Sequence, residues 1–171
     1  MSLHMETDHT VPPETAQVAR AAFPKGNVYL LLRDELGVFL SDEMFAAMFS
    51  TRGQPAEAPW RLVLVCVLQC MEGLSDRQAA EAVRARIDWK YLLGLALTDA
   101  GFDASILTEF RARLIEGQLE HTLLDRLLTV CKAKGWLKAR VASTARIPRL
   151  CWQRFAISIG WNASEKRCAT S

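Results

Sequence analysis

The stretch WRLVLVCVLQCMEGLSDRQAAEAVRAR, Trp60 to Arg86, decides the fold because a long apolar run is followed by clear helix signals. Pro59 suits the first position of a helix, and Gly73 suits the position just after its last turn. The valines of the run could argue for a β-strand. No helix breaker interrupts residues 60–72, however, and this length favours a buried helix over a strand.

A second helix is predicted to begin directly after the turn at Leu74. Ser75 followed by Gln78 three residues later forms the pattern of a capping box. Apolar side chains then fall on one side of the helix and charged ones on the other: Ala79, Ala80, Val83 and Ile87 against Arg77, Glu81, Arg84 and Asp88. An apolar helix, a short turn and a capped amphipathic helix together predict a helix-turn-helix-like pair.

This layout makes several cations candidates for contact with DNA. In such motifs the first turn of the second helix faces base edges, which here means Arg77 and Gln78. Arg84, Arg86 and Lys90 suit phosphates, whose contacts supply most of the affinity. The complete set of candidate DNA-binding residues is Arg77, Gln78, Arg84, Arg86, Lys90, Arg111 and Arg113.

A purely structural interpretation of the same residues stands beside this one. Capped helical hairpins with surface arginines are common, and residues 52–113 carry eight basic and eight acidic side chains. Glu81 lies on the proposed DNA-facing side and would repel phosphates. Trp89 and Tyr91 could stack on bases, but we expect them to anchor a helix in the core.

The remaining chain up to residue 140 also has helical punctuation. Short helices are predicted after Asn27, as far as Leu36, and after the acidic cap Ser41-Asp42-Glu43; residues 51–59 form a connector. Further helical segments are predicted over Ile87–Leu95, Ser105–Glu116 and Leu119–Lys134. Since no strand alternation persists before residue 140, the predicted fold is all-α, a compact multi-helix domain.

Composition sets few limits on function. The 171 residues fit one domain, half of them are apolar, and the net charge of +2 gives no global basic field. No signal peptide is apparent, and the longest apolar run is far too short to span a bilayer. Cys66 and Cys70, one turn apart, are expected to be core thiols. We therefore expect a cytoplasmic protein without cofactor, metal ion, small-molecule ligand or membrane partner.

Four segments in order resemble the N-terminal domain of bacterial insertion-sequence transposases of the InsH-like type. They are FPKGNVYLLLRDELG (23–37), FSTRGQPAEAPWRL (49–62), EGLSDRQAAEAVRARIDWKYLLGLALTDAGFDASILTEFRARL (72–114) and the leucine-rich helix that follows. The resemblance implies an all-helical domain that helps to bind terminal inverted repeats. It also implies an adjoining catalytic domain in which three acidic residues, a DDE set, hold two metal ions.

The chain departs from this family where the first catalytic aspartate is expected. Family members continue into a strand with a Thr-Asp-Ser-Thr-His-like motif, whereas Ser143 to Pro148 stand there in this chain. Residues 141–171 contain no aspartate at all. A two-metal site needs its carboxylates, so we expect no enzymatic activity.

The predicted organisation is a flexible lead-in over residues 1–22, a helical transposase domain over 23–140 and a poorly ordered tail over 141–171. The expected partner is DNA at terminal inverted repeats, bound without catalysis. Two alternatives stay open. The helices could pair with a full-length transposase or with a second copy and so inhibit transposition, or the chain could be an inert pseudogene product.

The tail from about Val141 has the features of a frameshifted segment. The alternative reading frame combines the last base of each codon with the first two bases of the next codon. Because Trp has a single codon, some residues in that frame have one possible identity. Cys151-Trp152 gives Leu, Trp152-Gln153 gives Ala, and Trp161-Asn162 gives Glu. Residues 145–162 can then be read as Thr-Asp-Ser-Thr-x-Val-Leu-Ala-Ala-Ile-Arg-Asp-Leu-Asn-Arg-Leu-Glu, where x cannot be His. This hidden sequence resembles the first catalytic strand of the family.

We predict that sequencing the gene and its downstream DNA will recover the family's catalytic domain in that alternative frame. The Thr-Asp-Ser-Thr codons should be present, and the two further catalytic acids should follow downstream. Stop codons in that frame soon after residue 171, or the absence of the two acids, would show that the tail is not a frameshift product. The competing interpretation is a basic DNA-binding arm.

Overall fold

The computed structural model describes residues 9–36, 40, 42–49 and 56–119, together with positions 122, 123, 126 and 129. Among these residues no β-strand occurs, and the predicted all-α fold is confirmed. The helices are α1 (Pro13–Ala22), α2 (Val28–Leu36), a 3-10 helix (Asp42–Met48), α3 (Pro59–Glu72), α4 (Asp76–Ala85), α5 (Ile87–Leu93) and α6 (Ser105–Glu116).

Helix α3 lies at the centre of the domain and has the predicted bounds. Pro59 occupies its first turn. Backbone N–H groups in that turn have no partner within the helix, so the N–H that proline lacks costs no hydrogen bond. The helix ends because Gly73 adopts the left-handed conformation, with φ of 69°, and donates its N–H to the carbonyl of Gln69. The helix is buried around most of its circumference rather than on one stripe. Its buried residues are Pro59, Trp60, Leu62, Val63, Leu64, Val65, Cys66 and Leu68.

The other helices surround α3 in two groups. Helices α4 and α6 and the 3-10 helix pack directly on α3. Helix α5 packs against α4 and also against α1 and α2. Trp89 and Tyr91 on α5 are both buried, with 0% and 3% of their surface exposed, which confirms that they anchor this helix in the core.

Residues 13–22 differ from the flexible lead-in that the sequence predicts over residues 1–22. They form α1, which buries the small residues Thr15 and Ala19, and Thr15 Oγ1 donates to the carbonyl of Leu95 at 2.8 Å. Ala19 joins Leu30 and Tyr91 in a second apolar cluster. No stripe of large apolar side chains marks this helix in the sequence, because small residues make the contact.

Two further predictions differ from the structure in detail. The helix predicted after Ser41 is a 3-10 helix that buries Phe45, and the segment predicted over Ile87–Leu95 ends as an α-helix at Leu93. Gly94, with φ of 66°, ends it through a left-handed turn. Most of the predicted helix Leu119–Lys134 and all of the tail at 141–171 lie outside the described residues.

Asp76 connects three helices at the start of α4. Its carboxylate accepts hydrogen bonds from Arg111 Nη2 at 2.5 Å, Gln69 Nε2 at 2.6 Å and Thr108 Oγ1 at 2.9 Å. Burial alone would raise the pKa of this carboxyl, but the hydrogen bonds from Arg111, Gln69 and Thr108 outweigh it and hold the pKa below its ordinary value. Asp76 thereby fixes the N-terminus of α4 against α3 and α6.

We predict that Asp76→Asn lowers the free energy of unfolding by about 1–3 kcal/mol at pH 7, because hydrogen bonds to a charged group are lost. A carboxyl whose pKa is lower in the folded state than in the unfolded state stabilises the fold at pH values above its unfolded pKa of about 3.9. This contribution is lost as the pH falls through the folded pKa. The difference between variant and wild type should therefore shrink below about pH 4. Urea unfolding at several pH values measures it, with Glu14→Gln on α1 as the control; an equal loss at pH 3 and pH 7 would contradict the assignment.

Candidate nucleic-acid interface

Helix α4 begins with the capping box that the sequence predicts. The backbone N–H of Gln78 donates to Ser75 Oγ at 3.4 Å, and the backbone N–H of Ser75 donates to Gln78 Oε1 at 2.9 Å. Each bond satisfies an N–H that the first turn of a helix leaves unpaired. The cap fixes where α4 starts and hence which residues face outward.

The two sides of α4 differ sharply in burial. Its inner side packs into the core through Ala79, Ala80, Ala82 and Val83, which are small enough for close approach to the neighbouring helices. Its outer side carries three exposed charged residues, Arg77, Glu81 and Arg84. They lie at intervals of four and three residues and so form one stripe along the helix. We call Arg77, Glu81 and Arg84 the α4 stripe.

The loop between α5 and α6 borders the α4 stripe. Arg84 Nε donates to the carbonyl of Ala100 at 3.0 Å, which directs this side chain along the loop. Arg77 lies close enough to Asp103 to contribute to the lowered pKa of that carboxyl, whose main cause is the hydrogen bond from the backbone of Ser105. Both arginines stay exposed to solvent, so their charges are available to a ligand at this surface.

Gln78, the second candidate for base contact, stabilises the start of α4. Its side-chain oxygen accepts hydrogen bonds from both the N–H and the hydroxyl of Ser75, each at 2.9 Å. A glutamine that reads a base needs its amide oriented toward the groove. Gln78 Oε1 could contact a base only by giving up its bonds to Ser75.

Arg86 belongs to a hydrogen-bonded network where α3, α4 and α5 meet. Its guanidinium donates to Glu72 at 2.5 Å and to Asp88 at 2.7 Å, and it lies 5.2 Å from the ring centroid of Trp89. The hydrogen bonds to Asp88, followed by those to Glu72, raise the pKa of this guanidinium. Together with its two carboxylate partners, Glu72 and Asp88, Arg86 forms a group without net positive charge to offer a phosphate.

Lys90 is buried, with 2% of its surface exposed. Its ammonium donates to the carbonyls of Asp99 at 2.7 Å and Ala96 at 3.2 Å, in the loop after α5. Because a buried ammonium needs such acceptors, Lys90 holds this loop in place. The structure therefore places the Lys90 ammonium in the interior against loop carbonyls, whereas the sequence suggested a contact with a phosphate.

Arg111 and Arg113 lie on α6 and do not extend the α4 stripe. Arg111 is bound to Asp76 at 2.5 Å and to Gln69 Oε1 at 3.3 Å, so it is a structural residue. Arg113 is half-buried beside Phe49, with its guanidinium 5.4 Å from the ring centroid. Of the seven candidates, Arg77 and Arg84 are thus the two arginines that the structure leaves exposed together on one helix.

Sequence reasoning missed the part that the loop plays at this surface. Asp103 Oδ1 accepts the N–H of Ser105 at 2.9 Å, which is the local turn that an Asp two residues before a Ser favours. That pattern was a signal for the turn, but the proximity of Asp103 to Arg77 depends on the packing of the loop against α4. The backbone carbonyl of Ala100, the partner of Arg84, leaves no trace in the sequence.

Other kinds of site find little support in the described residues. No group of three or more His, Cys, Asp or Glu side chains there lies close enough to hold a metal ion. Burial raises the pKa of the Cys66 thiol to about 12, which makes it a poor nucleophile and agrees with a core thiol. None of the helices in the described part is both long and apolar enough to cross a membrane.

Comparison with known protein families identifies one match. A family model described as Transposase domain (DUF772) matches residues 17–113, which is more than half of the chain. No curated protein and no solved structure matches the chain. The matched stretch begins inside α1 and includes all seven residues considered above.

We predict that Lys90→Met lowers the free energy of unfolding by about 1–3 kcal/mol, because two carbonyls lose a buried donor. Thermal and urea unfolding measure the change, and Lys25→Met, at an exposed position, is the matched control. Wild-type stability in Lys90→Met would mean that the ammonium does not hold the loop. A role at phosphates would instead reduce DNA affinity without a change in stability.

Proposed function

We propose that this chain, which belongs to the Transposase domain (DUF772) family, serves as the DNA-binding helical domain of an InsH-like insertion-sequence transposase. Its target would be the element's terminal inverted repeats. The observation that carries the proposal is the α4 stripe, in which Arg77 and Arg84 are exposed on a helix whose start is fixed by a capping box. Family membership supports a role in transposition, and the stripe supports DNA contact.

The spacing of the two arginines suits a DNA groove. Seven residues on an α-helix span about 10 Å along the axis and return to nearly the same side. The major groove of B-DNA is about 12 Å wide and admits a helix. With α4 in the groove, Arg77 and Arg84 would be placed to reach phosphates on its two edges or a phosphate and a guanine.

The proposed binding is modest in strength when only the described residues contribute. Two exposed arginines neutralise about two phosphates, whereas tight DNA-binding proteins make 6–10 such contacts. A domain of this kind gains affinity when a second copy binds the adjacent site or when further DNA-binding parts act with it. The proposal is therefore a domain that recognises DNA as part of a larger transposition complex.

We also propose that the described domain does not itself cleave DNA. Asp76 and Asp88 accept hydrogen bonds from arginines, and Asp103 accepts the N–H of Ser105. Asp34 accepts the hydroxyl of Tyr91 at 2.7 Å. Carboxylates used in this way hold helices and turns together, which supports a binding role rather than catalysis.

The alternative role as an oligomerisation module has weaker support. It relies on apolar surface along α6 and the helix predicted after it, which lies largely outside the described residues. On α6 itself the large apolar side chain left exposed is Ile115, with 48% of its surface accessible. Single exposed apolar residues are normal on protein surfaces, so the α4 stripe is the better-supported functional surface.

We predict that replacing both arginines, Arg77→Ala with Arg84→Ala, weakens binding to the terminal inverted repeat by roughly tenfold or more. Each lost phosphate contact should reduce the slope of log affinity against log salt concentration by about 0.9, so the double variant should lose nearly 2. Gel-shift titrations at several salt concentrations measure both effects.

The matched control is Arg20→Ala with Lys25→Ala, which removes the same charge from α1 and the loop after it. This control should retain most of the affinity, because those side chains are exposed and do not belong to the α4 stripe. Equal losses in both double variants would indicate a general charge effect. Wild-type binding no tighter to the terminal repeat than to a random duplex would refute specific recognition.

A further inference from the structure

Glu81 occupies the middle of the α4 stripe. It follows Arg77 by four residues and precedes Arg84 by three, so both arginines are its neighbours on the helix surface. It is exposed, and no ion pair or hydrogen bond joins it to another residue in the described part of the chain. A carboxylate with cationic neighbours three and four residues away is placed to pair with either of them.

The loop after α5 binds one of the two cationic neighbours of Glu81. Arg84 donates to the carbonyl of Ala100 at 3.0 Å, which directs its guanidinium along the loop. The charge of Arg77 contributes to the lowered pKa of Asp103, on the same loop. The acceptor oxygens of Glu81 are free at the centre of the surface proposed to meet DNA.

A free carboxylate at a DNA interface is unfavourable next to phosphates but useful next to a base. In the major groove cytosine presents its N4 amino group as a donor, which a carboxylate can accept. Adenine also presents a donor, at N6, but its neighbouring N7 is an acceptor to which a carboxylate has no proton to offer. The chemistry of Glu81 therefore favours cytosine over adenine.

The position of Glu81 along α4 agrees with contact to a base. Glu81 is the sixth of the ten residues of the helix, with an arginine toward each end. A helix that lies in the major groove presents the side chains of its outward face to base edges, and cations on that face can also reach the phosphates. Gln78, the other polar candidate for base contact, is occupied by the capping box.

We propose that Glu81 specifies a cytosine in the DNA bound by this chain, by accepting a hydrogen bond from the N4 amino group. The proposal rests on the function proposed above, because it requires α4 to lie in the major groove. Glu81 is the one acidic residue of the stripe and weakens general affinity for DNA. In the proposed role it determines the sequence preference at one base pair.

Selection from a library of random-sequence duplexes tests the proposal with the full chain. Wild type should enrich a motif containing cytosine at one position, with a preference of roughly tenfold or more over other bases. Glu81→Gln should change that preference to adenine, since an amide can both accept from N6 and donate to N7. Glu81→Ala should lose the preference there and keep the rest of the motif.

Glu14→Gln, an exposed change of the same charge on α1, is the control and should select the wild-type motif. Identical motifs from wild type and Glu81→Gln would overturn the role of Glu81 while leaving DNA binding intact. A uniform gain in affinity for all duplexes in both Glu81 variants would also overturn it, because it would show simple repulsion of phosphates. No enriched motif with wild type would overturn the proposed function as well.

Discussion

The burial of α3 is the constraint on which the rest of the domain depends. Its apolar side chains, from Trp60 to Leu68, cover most of its circumference, so the helix must be enclosed by other parts of the chain. Full burial of each large apolar side chain contributes about 1.5–3 kcal/mol, which makes this enclosure the largest favourable contribution available. Helices α4 and α6 and the 3-10 helix supply it directly. Helix α4 can expose charges on its outer side because its inner side packs on α3, α5 and α6.

Buried and half-buried cations then determine how the surrounding helices are oriented. Arg33 donates to the carbonyl of Leu92 at 3.2 Å, Arg86 joins Glu72 to Asp88, and Arg111 joins Asp76 to Gln69. Apolar contacts alone tolerate sliding, whereas hydrogen bonds between charged groups specify one geometry. Because these arginines bind other groups of the domain, few arginines among the described residues are available to a ligand.

Local patterns in the sequence predicted those parts of the fold that local interactions determine. Helix α3 with its stop at Gly73, the capping box at Ser75 and the bounds of α6 were all confirmed, because each depends on residues within one or two turns. The sequence did not predict helix α1, because this helix is stabilised by its contact with α5 rather than by a local pattern. At the candidate site, periodicity identified the outer side of α4 correctly. It could not show that Lys90 turns inward, since backbone carbonyl acceptors carry no side-chain signature.

The docking of α1 and α2 on α5 has a consequence for how the domain is made. Thr15 bonds to the carbonyl of Leu95, 80 residues later in the chain. At 5–20 residues per second, a ribosome needs on the order of 4–16 s to synthesise that interval. During this time the first two helices have emerged without the surface that they bury. Their docking is therefore a late step that closes the domain once α5 has left the exit tunnel.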